Sequence, residues 1–138
     1  VYGPGQDMIN LRQGMVSIYL SQALNSKKIE VKGSLDRIRD FVYIDDVVEA
    51  WYRSATYNEP IGKNINIGTG VATKVKDLLD LISNKLEGIP YFQSESTPGD
   101  QFGIFANTDL MKKTLKMNKL IGLEKGILKF IEYEKNKY

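Results

Sequence analysis

Short extended runs alternate with amphipathic helical stretches along almost the whole of this 138-residue chain, with Gly, Pro or Asp at most junctions. That alternation restricts the fold more than any other feature, because strand-then-helix order builds layered α/β structure. Val1-Tyr-Gly-Pro-Gly5 is turn chemistry. After it, Ile9, Met15, Val16, Ile18, Tyr19, Leu20 and Leu24 mark out a helix, with Asp7 as its expected N-cap. Ile29, Glu30 and Val31 alternate as a short strand that ends at Gly33, and residues 39–44 form a second extended piece. Asp45 and Asp46 then open a helix carrying Val47, Val48, Ala50 and Trp51. Residues 64–68 alternate as a strand, Gly68 and Gly70 make a turn, and Thr73 is expected to cap a helix carrying Val75, Leu78, Leu79, Leu81, Ile82 and Leu86. Residues 90–92 form a short strand candidate, Pro98-Gly-Asp100 a turn, and 102–106 another extended piece. Two helices, roughly 108–116 and 123–135, close the chain. With no repeat and no flexible linker, residues 1–138 read as one α/β unit, either a domain or part of a larger one.

Composition removes several function classes. Hydrophobic residues make up 42% of the chain, enough for a core at this length. A net charge of +2 gives no footprint for nucleic acid. The Lys-rich C-terminal stretch interleaves with Glu124, Glu132 and Glu134, which is the pattern of a solvated helix face. There is no cysteine, so neither a disulfide framework nor thiolate chemistry is available. There is no histidine, which excludes a Ser-His-Asp hydrolase and a His-ligated metal site. No apolar run approaches the roughly 18 residues of a membrane span. A cytoplasmic setting is expected, with no membrane partner.

Four motifs carry chemistry. In Arg39-Asp-Phe-Val-Tyr-Ile-Asp-Asp46 the arginine heads an extended segment and can project a planar, permanently charged fork toward a diphosphate. It can equally pair with Asp36 or Asp40. Asp45 and Asp46 suit helix capping better than a cation site. Asn66-Ile-Gly-Thr-Gly70 followed by Thr73 nearly matches the dinucleotide fingerprint, with Thr73 in place of the third glycine. It reads as a tight turn bringing backbone close to a ligand or a neighbouring strand rather than as an NAD site. In Thr97-Pro-Gly-Asp100 the aspartate can accept hydrogen bonds from sugar hydroxyls or hold its own turn. Tyr133 and Lys137 have the Tyr-x-x-x-Lys spacing of short-chain dehydrogenases. With eight tyrosines and many lysines in the chain, about one such match arises by chance. This one lies at the chain end, so it is set aside.

Together, Val1-Tyr-Gly-Pro-Gly-Gln6, Gly33 with the Arg39 segment, Asn66-Ile-Gly-Thr-Gly70 and Pro98-Gly-Asp100 resemble the NAD-dependent epimerase/dehydratase group of extended short-chain dehydrogenase/reductases, which includes UDP-glucose 4-epimerase. The resemblance runs from Val1 to about Leu123. It implies the C-terminal, substrate-binding part of such a protein, with the NAD-binding Rossmann half absent. It also implies site roles. Arg39 matches the arginine that contacts the diphosphate of a nucleotide sugar, and Asp100 an aspartate near the ribose and diphosphate. Glu30 and Lys32 belong to the strand beside the base, and Val71 packs against the nucleotide. Tyr2 and Gln6 bound the loop at the edge of the sugar site. Two departures stand out: Gly33-Ser-Leu35 replaces the family's usual Gly-Asp-Gly, and Thr97 stands where an arginine is usual. A threonine offers one neutral hydrogen bond worth ~1 kcal/mol, against ~1.5–3 kcal/mol for a bond to a charged group.

The resemblance implies a UDP- or dTDP-linked sugar as substrate and NAD as cofactor of a full-length parent, with none bound by this chain alone. It also implies a homodimeric parent in surface-polysaccharide precursor synthesis. Nothing in residues 1–138 supplies the Gly-rich NAD loop or the catalytic tyrosine, and the chain begins at Val1 within a loop motif. It is therefore expected to be a fragment with no turnover of its own and with apolar surface left uncovered. The alternative from another class is a non-catalytic nucleotide-sugar binding or scaffolding module.

Overall fold

A computed structural model describes residues 1–12, 14–95 and 101–137. In chain order the elements are α1 (Met15–Ser26), β1 (Ile29–Lys32), β2 (Ile38–Arg39), α2 (Ile44–Thr56), β3 (Thr73–Lys74), α3 (Val75–Lys85), β4 (Tyr91–Ser94), α4 (Asp109–Leu115) and α5 (Leu123–Lys135). The strands form two two-stranded sheets. β1 and β4 run parallel, with Ile29 opposite Tyr91 and Lys32 opposite Ser94. β2 and β3 run antiparallel, with Ile38 opposite Lys74 and Arg39 opposite Thr73. The α/β class and the short strands expected from the sequence are present.

The main core lies between α1, β1, α3 and α5. β1 alternates strictly, burying Ile29 and Val31 while Glu30 and Lys32 face solvent. Leu20, Leu78, Leu79, Ile82, Ile127 and Phe130 close over the buried side. Each such side chain contributes roughly 1.5–3 kcal/mol on burial, so this cluster dominates the cohesion of the chain. A second, smaller cluster joins Ala50 of α2 to Met111, Leu115 and Met117, with Ile65, Ile67 and Leu120 packed against it.

The helix starts differ from the expected ones for local reasons. Asp7 does not cap α1. Its carboxylate instead accepts the N–H groups of Ile9 and Asn10 at 2.8 and 3.2 Å, closing a separate turn. α1 begins only after Gly14, whose φ of +87° breaks any helix from the preceding residues. A Cβ on Gly14 would lie 2.2 Å from the Gln6 side-chain nitrogen, so this position also lacks space. Thr73 does not cap α3, because it sits in β3 opposite Arg39. The first N–H groups of α3 donate to backbone carbonyls instead: Val75 to Arg37 and Lys76 to Leu35, both at 2.9 Å.

Asp45 and Asp46 lie within the first turn of α2, where negative charge suits the helix dipole, but neither caps it. Asp45 pairs with Lys129 at 3.2 Å. Asp46 is buried and accepts the Ile121 N–H at 2.9 Å, tying the α4–α5 connection to α2. Residues 64–68 keep the alternation of a strand, with Ile65 and Ile67 half-buried and Asn64 and Asn66 exposed, yet they join no sheet among the described residues. Among the described residues, no helix is long and apolar enough to cross a membrane, and no cluster of acidic side chains could hold a metal ion.

Candidate functional site

Three stretches of chain converge on Arg39. The first is β3, which places Thr73 directly across from it. The second is the Gly-Thr-Gly turn, which ends three residues before Thr73. The third is the extended segment that follows residue 101. Its Phe102 carbonyl accepts the Ile38 N–H at 2.8 Å, and its Ile104 N–H donates to the Ile38 carbonyl at 3.2 Å. β2 is thus a two-residue strand held on both edges, which fixes the backbone from which the Arg39 side chain departs.

Asp40 locks this junction. Its carboxylate accepts the Thr69 N–H at 2.9 Å, the Gly70 N–H at 2.9 Å, the Ala106 N–H at 3.2 Å and the Thr69 hydroxyl. Burial alone pushes the Asp40 carboxyl up, but the Thr69 hydroxyl and the three backbone N–H groups outweigh it and hold the carboxyl below the usual carboxylate range. The turn can approach this closely because Gly68 has no side chain. A Cβ there would lie 2.4 Å from the Ala106 Cβ and 2.7 Å from an Asp40 oxygen. Gly70 adopts φ +73°, the left-handed region that a side chain disfavours. The turn is therefore bound to a neighbouring segment, as its spacing suggested. The same bonds engage the Thr69 and Gly70 N–H groups with Asp40.

Arg37 and Arg39 are two residues apart and differ sharply. Arg37 is buried, and its guanidinium donates to the carbonyls of Lys32 and Ser34, pinning the β1–β2 connection. Arg39 is only half-buried and donates to the Ile38 carbonyl at 2.8 Å. The carboxylates flanking it in sequence have other partners: Asp36 pairs with Lys74 at 3.0 Å, and Asp40 holds the turn. Val71 follows the turn, is exposed, and lines a cavity of about 260 Å³ together with Phe41, Thr69, Thr73, Met111 and Lys112.

The remaining expected site residues fall in two places. Glu30 and Lys32 lie on the solvent face of β1, opposite Phe92 and Ser94. The Glu30 N–H donates to the Gln22 side chain at 2.7 Å. Gln6 lines a shallow depression of about 310 Å³ with Val1 to Gly5 and Ile44, and its buried side-chain oxygen has no hydrogen-bond partner among the described residues. The Tyr2 ring, by contrast, is buried. It stacks edge-on against Tyr43 at 5.5 Å, and its hydroxyl donates to the Leu123 carbonyl at 3.3 Å. Burial, then Tyr43 and Asp46, push its phenol well above the usual tyrosine value. The Tyr2 side chain therefore belongs to the core, and only its backbone contributes to the surface of its loop. Thr97 and Asp100 lie outside the described residues. Tyr133 and Lys137 lie at the surface, where the exposed Tyr133 ring carries the Lys137 ammonium 5.9 Å from its centroid.

Reading the sequence alone missed Asp40 as the organiser of the junction and Arg37 as its brace. The available signal was chemical. A glycine turn exposes consecutive N–H groups, and an aspartate next to the Arg39 strand is a natural acceptor for them.

Residues 1–68 match the model of the "NAD dependent epimerase/dehydratase family". The UDP-glucose 4-epimerase of Mycolicibacterium smegmatis is 30% identical over 141 residues, covering 99% of this chain and 44% of that protein. The chain belongs to the NAD dependent epimerase/dehydratase family. A dTDP-4-dehydro-6-deoxyglucose reductase of Escherichia coli is 38% identical over 87 residues, covering 62% of this chain and 26% of the relative. The solved UDP-glucose 4-epimerase of Thermotoga maritima, with UDP-glucose, superposes with a TM-score of 0.85 at 27% identity, covering 99% of this chain and 43% of that one. The fold is thus that of the C-terminal portion of epimerase/dehydratase structures, and the chain spans less than half the length of these relatives.

Proposed function

We propose that this chain forms the nucleotide-sugar-binding portion of an NAD-dependent sugar-nucleotide epimerase or dehydratase, and that the rest of such an enzyme carries the hydride chemistry. The observation that carries this reading is the Arg39 junction: a permanently charged guanidinium on a two-residue strand whose backbone is fixed by Ile104, Thr73 and the Asp40-bound turn. A rigid arginine fork of this kind suits the two phosphates of a UDP- or dTDP-sugar. Val71 supplies apolar contact beside it, and the Glu30 to Lys32 strand offers backbone to a base. Thr97 and Asp100 are assigned to the ribose and diphosphate on the resemblance of Pro98-Gly-Asp100 to the family's motif. Gln6 lines the depression beside Val1 to Gly5, at the edge of the loop assigned to the sugar.

In such an enzyme NAD, when bound, would supply hydride-acceptor chemistry. The one turn of this chain that resembles the dinucleotide fingerprint is closed by Asp40 and Ala106, so the dinucleotide is assigned to the rest of such an enzyme. The work of this chain's residues is binding and orientation. They hold the diphosphate, seat the base and keep the sugar ring at the loop edge, so that groups elsewhere can reach its carbons. A cytoplasmic enzyme making precursors of surface polysaccharide, active as a homodimer, fits this chemistry.

The test is a turnover assay. The purified 138-residue chain, given NAD and a panel of UDP- and dTDP-sugars, is expected to form no epimerised or dehydrated product. Robust NAD-dependent turnover by the chain alone would overturn the division of labour.

A further inference from the structure

The outer edge of β1 carries a row of hydrogen-bonding groups that the chain only half uses. In the parallel β1–β4 ladder the Ile29 N–H donates to the Pro90 carbonyl at 2.9 Å, so Ile29 and Val31 direct their backbone groups toward β4. The backbone groups of Glu30 and Lys32 point the other way, along an edge that no strand covers among the described residues. Both ends of that edge are closed. At one end the half-buried Gln22 side chain, on α1, accepts the Glu30 N–H at 2.7 Å. At the other end the Arg37 guanidinium donates to the Lys32 carbonyl. Between them, the Glu30 carbonyl and the Lys32 N–H have no hydrogen-bond partner among the described residues. The bond at the Gln22 end also orients its amide. An N–H is accepted by the amide oxygen and not by the nitrogen, so Oε1 is spent on Glu30. The Gln22 Nε2, a donor held at the same end of the edge, has no partner among the described residues.

From Gln22 outward the edge therefore runs donor, acceptor, donor: the Gln22 amide nitrogen, the Glu30 carbonyl and the Lys32 N–H. The pairing edge of uracil or thymine runs carbonyl, imide N–H, carbonyl. It is acceptor, donor, acceptor, and it complements the row at all three places. Cytosine presents an amino donor followed by two acceptors. In the same position it would set donor against donor at Gln22 and acceptor against acceptor at the Glu30 carbonyl. The backbone alone does not separate the two. Shifted by one group, the cytosine amino group and N3 pair with the Glu30 carbonyl and the Lys32 N–H as well as uracil does. The third place breaks the tie. We propose that Gln22 selects the base, favouring a nucleotide sugar with an imide edge, uracil or thymine, over one that carries cytosine. The inference rests on the functional reading above, which seats the base beside β1. It adds that a side chain of α1, and not the strand itself, sets the choice.

Calorimetric titration of the 138-residue chain with UDP-glucose, dTDP-glucose and CDP-glucose tests this. The first two should bind with similar affinity, and about tenfold more tightly than CDP-glucose, the worth of one hydrogen bond. Gln22→Glu keeps an oxygen for the Glu30 N–H and replaces the donor by a second acceptor. The row then matches the two amino hydrogens and N3 of cytosine, so the preference should invert. The ratio of the two affinities is the readout, because the added negative charge weakens both ligands through the same diphosphate. Gln22→Met removes the donor and should bring the two affinities together. Arg39→Met should weaken all three ligands by the same factor and leave the ratio where it was. Equal affinities for UDP-glucose and CDP-glucose in the parent chain, or a ratio that neither Gln22 variant moves, would overturn the role of Gln22 while the nucleotide-sugar reading stands. No binding of any of the three would overturn that reading and this inference with it.

Discussion

Helices α2 and α3 invite comparison. They contain 13 and 11 residues, both open on an acidic first turn, and both carry an apolar stripe at helical spacing. In α3 the stripe of Val75, Leu78, Leu79 and Ile82 is wholly buried against α1, α5 and β1. In α2 the corresponding stripe looks outward, and only Ala50 and Asp46 are enclosed. An amphipathic pattern establishes that a helix needs an apolar neighbour. It says nothing about whether that neighbour belongs to the same polypeptide. One helix is held by the chain's own core, and the other leaves most of its apolar stripe exposed among the described residues.

The sharpest way to break the contrast is to truncate each stripe in the isolated chain. Leu78→Ala should cost about 3 kcal/mol, since it opens a cavity in the closed core. Urea unfolding measures the loss, and a cost below about 1 kcal/mol would mean that α3 is not the keystone described. Next in size is Asp40→Ala, expected to cost about 2 kcal/mol because three N–H groups and a hydroxyl lose their acceptor, with part of that recovered from water. Its effect should be local as well as global: amides of Thr69, Gly70 and Ala106 should exchange faster, while those of α3 change only with overall stability.

The same carboxylate gives a pH dependence. The Asp40 carboxyl titrates below its ordinary value of 3.8 in the folded chain. The stability it contributes is therefore complete above that value and is lost as pH falls through the lower, folded one. Between about pH 5 and pH 2 the parent should lose more stability than Asp40→Asn, which has no such proton to take up. Parallel slopes for the two proteins would contradict the hydrogen-bond set assigned to Asp40. The smallest effect is expected for Trp51→Ala, within about 0.5 kcal/mol in the isolated chain. A large destabilisation there would show that the α2 stripe already has a partner within the chain.

Much of the fold was legible because it rests on local pattern. The alternation of Ile29 to Lys32, the stripe of α3 and the closing helices follow from periodicity alone. The errors came where a long-range bond competes with a local signal. Asp7 and Thr73 both look like helix caps in sequence. In the structure Asp7 serves its own turn, and backbone carbonyls of Leu35 and Arg37 take over the duty assigned to Thr73. Residues 64–68 alternate as a strand should, but a strand needs a neighbour, and no sequence window shows whether one is present. In the site, Arg39 stood out because charge at the head of an extended run is visible locally. Asp40 did not, because its partners Thr69, Gly70 and Ala106 lie 29 to 66 residues away.

The central claim is that a nucleoside diphosphate sugar binds beside Arg39. The most direct measurement is a titration of the ¹⁵N-labelled chain with UDP-glucose, followed by amide chemical shifts. The account predicts shifts grouped at Glu30 to Lys32, Arg39 and Thr69 to Val71, and their loss in Arg39→Met while the spectrum of the core stays unchanged. No shift up to roughly 10 mM ligand, or shifts grouped away from Arg39 and persisting in Arg39→Met, would contradict it.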